Sequence, residues 1–314
     1  MTLTRTAAWI RGIRGIRGIR EIREIREIRG FRGIRDFRGI RGIRGIRGFR
    51  GIRGFRGGLF AVALLASGPV SAQENYEIQV YASELVPVRA TMVELHSNFA
   101  ASGRKVVDQG VVPTNHAVHE TLEVTHGFTE WFECAFYLFT SAQPGDGYQF
   151  VGTHVRPRFA IPSRYHLPVG LSLSQEFGYQ RREFAAATWS WELRPIVDQQ
   201  LGRLYWSFNP TLERALQGEE TSRGFEFAPN AMVTYDLTKR VAAGLEYYGG
   251  FGSITHLEPW RAGAQQLFPA VNIDFGPEWE FNAAVGLGLT SSADTLLFKV
   301  IVGHRFGKLP PRGQ

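Results

Sequence analysis

The chain has 314 residues, a net charge of +7 and a single cysteine. Residues 1–72 hold 17 Arg against three Glu and one Asp, whereas residues 73–314 hold 19 Lys and Arg against 25 Asp and Glu, so the basic balance belongs to the leader and does not mark a nucleic-acid binder. The lone Cys134 excludes a disulfide within the chain, and no apolar run after residue 72 approaches the ~20 residues of a membrane-spanning helix.

The leader opens with a low-complexity piece, residues 1–58, in which Ile/Phe-Arg-Gly triplets repeat from Ile10 to Gly57. With no Pro before Pro69 it does not suit a collagen helix, and frequent Gly disfavours an α-helix, so the repeat reads as disordered. Residues 59–72 follow: Leu59 to Ala66 is a short apolar core, Pro69 breaks it, and Val70-Ser71-Ala72 is a small-x-small end. This is a signal-peptide pattern, with cleavage expected after Ala72 and an acidic mature chain from Gln73. Residues 73–90 are expected to be a periplasmic N-terminal segment.

From Thr91 to Phe306 the signal is a period of two. Twelve segments alternate apolar and polar residues: 91–100, 116–126, 131–140, 149–161, 168–178, 187–196, 203–213, 225–235, 240–248, 266–275, 279–289 and 295–306. In the eleventh, Trp279, Phe281, Ala283, Val285, Leu287 and Leu289 share one face, and Glu280, Asn282, Ala284, Gly286 and Gly288 share the other. In the seventh, Leu204, Trp206 and Phe208 oppose Tyr205, Ser207 and Asn209. Strands of about ten residues fit a tilted membrane crossing, whereas soluble strands centre on about five or six. Aromatic residues near strand ends, among them Trp131, Tyr137, Tyr148, Trp189, Tyr235 and Trp279, fit interfacial girdles. Pro157, Pro195, Pro210, Pro229 and Pro269 lie inside strands and each removes a ladder donor. The expected connections alternate, short after the even strands and long after the odd ones, including a long loop from Ser141 to Tyr148. The fold class is therefore all-β: a transmembrane antiparallel up-and-down barrel of about 12 strands over residues 91–306, with 10 or 14 as alternatives. Residues 307–314 are expected to be a periplasmic tail.

The turns carry a family resemblance. Thr125 to Glu133 and Tyr235 to Glu246 both run through an apolar residue, a Thr and a renewed Glu-bearing strand, and Thr91 to Phe99 looks like an opening strand of the same kind. In these features the sequence resembles the outer-membrane proteins grouped as the MetA-pathway of phenol degradation family. The resemblance implies an outer-membrane barrel suspected of transport and supplies no catalytic or ligand residues.

The remaining residues bear on function. His119-Glu120 lacks the second histidine of a zincin, and on a strand the two point apart, so no metal ligands are assigned. His96-Ser97-Asn98 contains the residue types of membrane-embedded lipid hydrolases, but Ser97 faces away from His96, and no catalytic residues are assigned. The inward faces collect charge: Glu94, Glu123, Glu133, Arg156, Arg158, Glu176, Glu192, Arg194, Arg203, Glu226, Glu246, Glu280, Lys299 and Arg305. They are expected either to neutralise one another across the lumen or to filter a solute. The expected function is a passive channel or transporter for small solutes, with no cofactor; a lipid acyl-hydrolase and a structural barrel without cargo are the alternatives. Expected partners are outer-membrane lipid, the barrel-assembly machinery that reads a closing aromatic such as Phe306, and an unidentified small solute, with no nucleic acid.

Overall fold

The computed structural model describes residues 75–307; the Ile-Arg-Gly repeat, the signal-peptide pattern with its cleavage site, and residues 308–314 lie outside the described residues. Twelve antiparallel strands close on themselves in chain order: β1 (Thr91–Ser102), β2 (Val118–Thr129), β3 (Phe132–Gln143), β4 (Gly147–Ala160), β5 (Gly170–Gln180), β6 (Trp189–Leu201), β7 (Leu204–Ala215), β8 (Phe225–Asp236), β9 (Val241–Gly249), β10 (Gln265–Ile273), β11 (Trp279–Gly288) and β12 (Leu296–Phe306). The ring closes where Thr91 pairs with Phe306. Each strand therefore has two neighbours, and no edge is left to aggregate.

The alternation decides the facing. Leu95, Phe136, Val155, Phe177, Phe208, Val233, Leu245, Val285 and Phe298 are large apolar side chains left exposed on the outer surface. His96, Thr121, Glu133, Arg194, Asn209, Glu246 and Lys299 are buried on the inner one. A soluble protein does the opposite. An apolar belt of this extent would be untenable in water, and a bilayer satisfies it. A closed barrel with an even strand number, apolar outside and polar within, is the bacterial outer-membrane form. Aromatic clusters edge the belt: at one end Trp131 stacks on Phe159, which Phe132 meets at a tilt, and Trp279 meets His304 edge to face with Phe306 beyond it, while Phe177 stacks on Trp191 toward the other end. Tyr137 departs from the expected girdle. It lies on the inward parity of β3 and is fully buried.

The facing predicts a labelling pattern. Cysteines placed at Val285 and Leu287 are expected to react with a lipid-soluble probe, and a cysteine at Asn282 is not. Reaction at Asn282 with silence at Val285 would mean the register is off by one residue.

The prolines point outward. Pro195 faces Pro210 across β6 and β7, and Pro210 pairs with Pro229 on β8, giving a row on the outer face. The β6–β7 ladder is interrupted between Leu193 and Val197, where Pro195 and Pro210 supply no N–H.

Two connections differ from expectation. The stretch 141–148, expected to be a long loop, is mostly strand, and Gln143 pairs with Gly147 across a three-residue turn. The register of the flanking residues continues to the turn, so the strands outrun their expected limits. Conversely, Ile161 to Val169 on the opposite end is extended by a short 3-10 turn at Ser163–Tyr165.

The larger correction concerns residues 73–90. The described part, from Asn75, does not lie beside the barrel. It threads through it, entering at the loop end and leaving at the turn end to begin β1. Tyr76, Glu77, Ile78, Val80 and Tyr81 are buried inside the lumen. The physical reason is volume: the inner wall presents large apolar side chains that need a partner. Ile78 and Val80 pack against Tyr248, Phe268 and Leu297, and Tyr76 packs against Phe139 and Tyr137. Each such aliphatic burial contributes about 1.5–3 kcal/mol.

Candidate functional site in the barrel lumen

The strap can be followed by its partners. At the loop end the Asn75 amide donates to Asp294 at 2.9 Å, and its carbonyl accepts from Asn98 at 2.9 Å. The Tyr76 carbonyl accepts from Thr121 at 2.5 Å. In mid-lumen the backbone of Tyr81 is held from β7: its N–H donates to Asn209 Oδ1 at 2.8 Å, and its carbonyl accepts from Asn209 Nδ2 at 3.1 Å and from Ser207 at 2.6 Å. Two residues on, the N–H and hydroxyl of Ser83 both donate to Asp198, each at 2.7 Å. The Val86 N–H donates to Glu133 at 2.7 Å, and Arg89 and Ala90 exchange hydrogen bonds with Gly127. Gly127 fits this exit because a Cβ there would lie 2.3 Å from the Val86 carbonyl oxygen.

The inward charges are arranged around this strap. Arg158 donates to the carbonyls of Ala82 at 3.0 Å and Glu84 at 2.6 Å, and its Nε pairs with Glu133 at 2.8 Å. Arg156 pairs with Glu123 at 2.6 Å and stands 3.7 Å from Glu133. Arg194 pairs with Glu192 at 2.7 Å and reaches Glu77 of the strap at 3.7 Å. The Tyr81 ring sits among all three guanidinium groups, 4.7 Å from Arg156, 4.8 Å from Arg194 and 5.6 Å from Arg158. Its hydroxyl bonds to Glu77 and lies 3.1 Å from the Tyr137 hydroxyl. Such contacts are worth about 0.5–2 kcal/mol each when desolvated, so Tyr81 is the chief anchor.

Elsewhere the expected charges form separate pairs. Glu176 bonds to His154, whose ring lies over Gly178, where a Cβ would overlap it. Lys299 pairs with Glu246 at 2.5 Å, both buried, and Tyr248 and Asn282 also donate to that carboxylate. Arg305 pairs with Glu280 at 2.7 Å near the turn end. Glu94 lies beside Glu123 as its cross-strand partner. Two residues depart from the expected lumen set. Arg203 belongs to the β6–β7 turn, is exposed, and donates to the carbonyls of Asp236 and Leu237 while stacking on Tyr235; the two-residue turn places it before β7 begins. Glu226 stands at the loop mouth, 3.3 Å from Arg223, rather than in the charged centre.

Of two cavities, one at each end of the barrel, the loop-side one is lined by strap residues and the turn-side one by the β8–β9 and β10–β11 turns. The loop-side one holds about 510 Å³ and is lined by Tyr76, His119, Gln143, Gln180, Gln266 and Glu213 among others. The turn-side one holds about 410 Å³ and reaches Asn272, Glu280 and Arg305. His96 and Ser97 lie on opposite sides of the wall: His96 is fully buried inside, and Ser97 donates to Glu120 at 3.3 Å outside. They form no hydrolytic pair.

Sequence reasoning placed Ser207 and Asn209 on the inward face of β7 but missed Asp198 and the strap residues Glu77, Tyr81 and Ser83 that these wall residues meet. A signal existed: Glu77-Ile78-Gln79-Val80-Tyr81 alternates as a strand does, and Tyr137, Phe139, Tyr248 and Phe268 sit on inward parity, which a water-filled pore does not favour.

No protein-family model and no curated protein matches the chain. Solved barrels resemble it in outline. The KdgM porin matches at 10% identity over 69% of this chain and 99% of its own, with a TM-score of 0.44. The Omp33 outer-membrane protein of Acinetobacter baumannii matches at 11% identity over 69% and 98%, with a TM-score of 0.39. The beta domain of the Bordetella autotransporter BrkA matches at 12% identity over 70% and 100%, with a TM-score of 0.41.

Proposed function

We propose that the chain is an outer-membrane channel for small polar solutes, closed from within by its own N-terminal strap. The observation that carries this reading is how the strap is held. Through the lumen its backbone is bonded to wall side chains (Asn209, Asp198, Arg158 and Glu133) and is not part of the barrel ladder. Each such bond contributes about 0.5–1.5 kcal/mol net, and about 1.5–3 kcal/mol where a charge takes part. The strap can therefore leave without unzipping a strand. The turn resemblance to barrels suspected of transport agrees with this reading.

The loop-side cavity suggests the solute class. Asp108, Glu213, Glu220, Glu226 and Asp294 outnumber Arg104 and Arg223 in its lining. A negative mouth favours cationic or neutral polar solutes over anions. The surrounding partners in this reading are lipid against the apolar belt and an assembly machinery that recognises the closing strand at Phe306.

Planar-bilayer recordings test the proposal. Protein beginning at Gln73 is expected to open rarely, and a folded variant lacking residues 73–86 is expected to conduct steadily, with cations preferred. A folded, strap-free barrel that conducts no better than the intact one would leave the structural-barrel alternative standing.

A further inference from the structure

A second cluster lies on the inner wall of β1 and β2, next to the Arg156 that Glu123 shares with the Tyr81 anchor. Glu94 and His96 are two residues apart on the inward face of β1, and Glu123 is the cross-strand partner of Glu94 on β2. All three are buried, and one ligating atom from each lies within 4.8 Å of the others. We propose that Glu94, His96 and Glu123 form a site for a divalent transition-metal ion of the Zn²⁺ class. The inference does not depend on whether the barrel conducts.

His96 sits at the centre of the cluster. Its ring is fully buried; Nε2 faces Glu123 Oε2 at 3.4 Å, and Nδ1 has no hydrogen-bond partner among the described residues. A buried imidazole held at one nitrogen by a long ion pair alone costs free energy that a closer ligand returns. That oxygen makes no other contact with a donor among the described residues, so the pair meets only at this separation. The separation is long for a hydrogen bond. It matches two donors sharing a metal: ligands held at about 2.0–2.1 Å in a tetrahedral shell stand about 3.3 Å apart.

The other carboxylate oxygen shows the division of labour expected around a metal. Glu123 Oε1 accepts from Arg156 at 2.6 Å and from Thr125 at 2.6 Å. Those bonds fix the carboxylate plane and leave Oε2 pointing at His96. Outer partners of this kind orient ligating carboxylates in metal sites. Glu94 supplies the second charge, and among the described residues it forms no ion pair with a basic side chain. One imidazole and two carboxylates form an N/O set suited to Zn²⁺ or a similar ion, with a position left for water. The turn-side cavity reaches Glu280, which stands in the same row as Glu94, one strand apart across Gly303.

The test uses the mature chain from Gln73, refolded in detergent without an affinity tag and stripped with chelator. Titration with Co²⁺ is expected to give visible d–d absorption that saturates at one equivalent and is displaced by Zn²⁺. His96→Ala should abolish the band and weaken Zn²⁺ binding by about 100-fold or more, since even outer partners are worth 10–100-fold. Heat-modifiable electrophoretic migration confirms that the variant is folded. Should His96→Ala not fold, the isosteric Glu94→Gln is expected to weaken binding instead. Ser97→Ala, on the outer face, should bind as the parent does. A parent that shows no saturable Co²⁺ uptake overturns the proposal. So does undiminished affinity in folded His96→Ala, or in folded Glu94→Gln where that variant replaces it.

Discussion

Replacing Lys299 with Met is expected to destabilise the barrel by about 3–5 kcal/mol, the usual cost of leaving one member of a buried ion pair alone. Lys299 and Glu246 are each about 1–2% exposed and pair at 2.5 Å. Around the ammonium lie the Tyr248 and Phe268 rings, at 6.0 and 5.7 Å. These seat the charge but do not replace its partner. With Lys299 gone, the Glu246 carboxylate keeps only the Tyr248 hydroxyl at 2.7 Å and the Asn282 amide at 3.1 Å. Two neutral donors do not compensate an anion in that setting. The double variant Lys299→Met with Glu246→Gln removes the stranded charge and is expected to regain most of the loss. Equilibrium unfolding in detergent with urea reads both. If the single variant loses under 1 kcal/mol, the pair is wet and the lumen on that side is open to solvent.

How much of this was legible in the sequence depends on what each feature obeys. The wall obeys a period of two, and the period reports facing directly: Leu204 outside and Asn209 inside follow from parity alone. Strand number followed because closure needs every alternating segment. Charge pairing was legible only as a set. The sequence places Arg156, Arg158, Glu123 and Glu133 on inward faces, but which carboxylate meets which guanidinium depends on register between strands, and a sequence does not state register. The strap was missed for a different reason. Residues 75–90 satisfy their backbone through wall side chains from β1, β2, β3, β4, β6 and β7, contacts with no local period. The exposed turn position of Arg203 was missed because a two-residue turn shortened the strand by one place, enough to remove a side chain from the lumen.

Tyr81 offers the sharpest way to separate the strap from the wall. Tyr81→Ala removes the ring that Arg156, Arg158 and Arg194 surround, together with the hydroxyl that meets Glu77 and Tyr137. Truncating a buried aromatic costs about 3–5 kcal/mol. The cost falls on the strapped state, because the free strap exposes Tyr81 in either variant. A shift of about 3 kcal/mol multiplies the ratio of open to closed barrels by about 150. The three arginines keep their carboxylate partners on the wall, Glu123, Glu133 and Glu192, so the ladder itself is untouched. Bilayer recordings of Tyr81→Ala should then show far higher open probability at the single-channel conductance of the parent's rare openings, while barrel unfolding loses no more than the roughly 3 kcal/mol of the lost strap contact. Conservative replacement by Phe keeps the ring among the guanidinium groups and should leave gating closer to the parent than to Ala. The opposite pattern, a large fall in barrel stability with no change in open probability, would make Tyr81 a core residue of a permanently filled barrel, and the strap would be part of the wall's foundation instead of its gate.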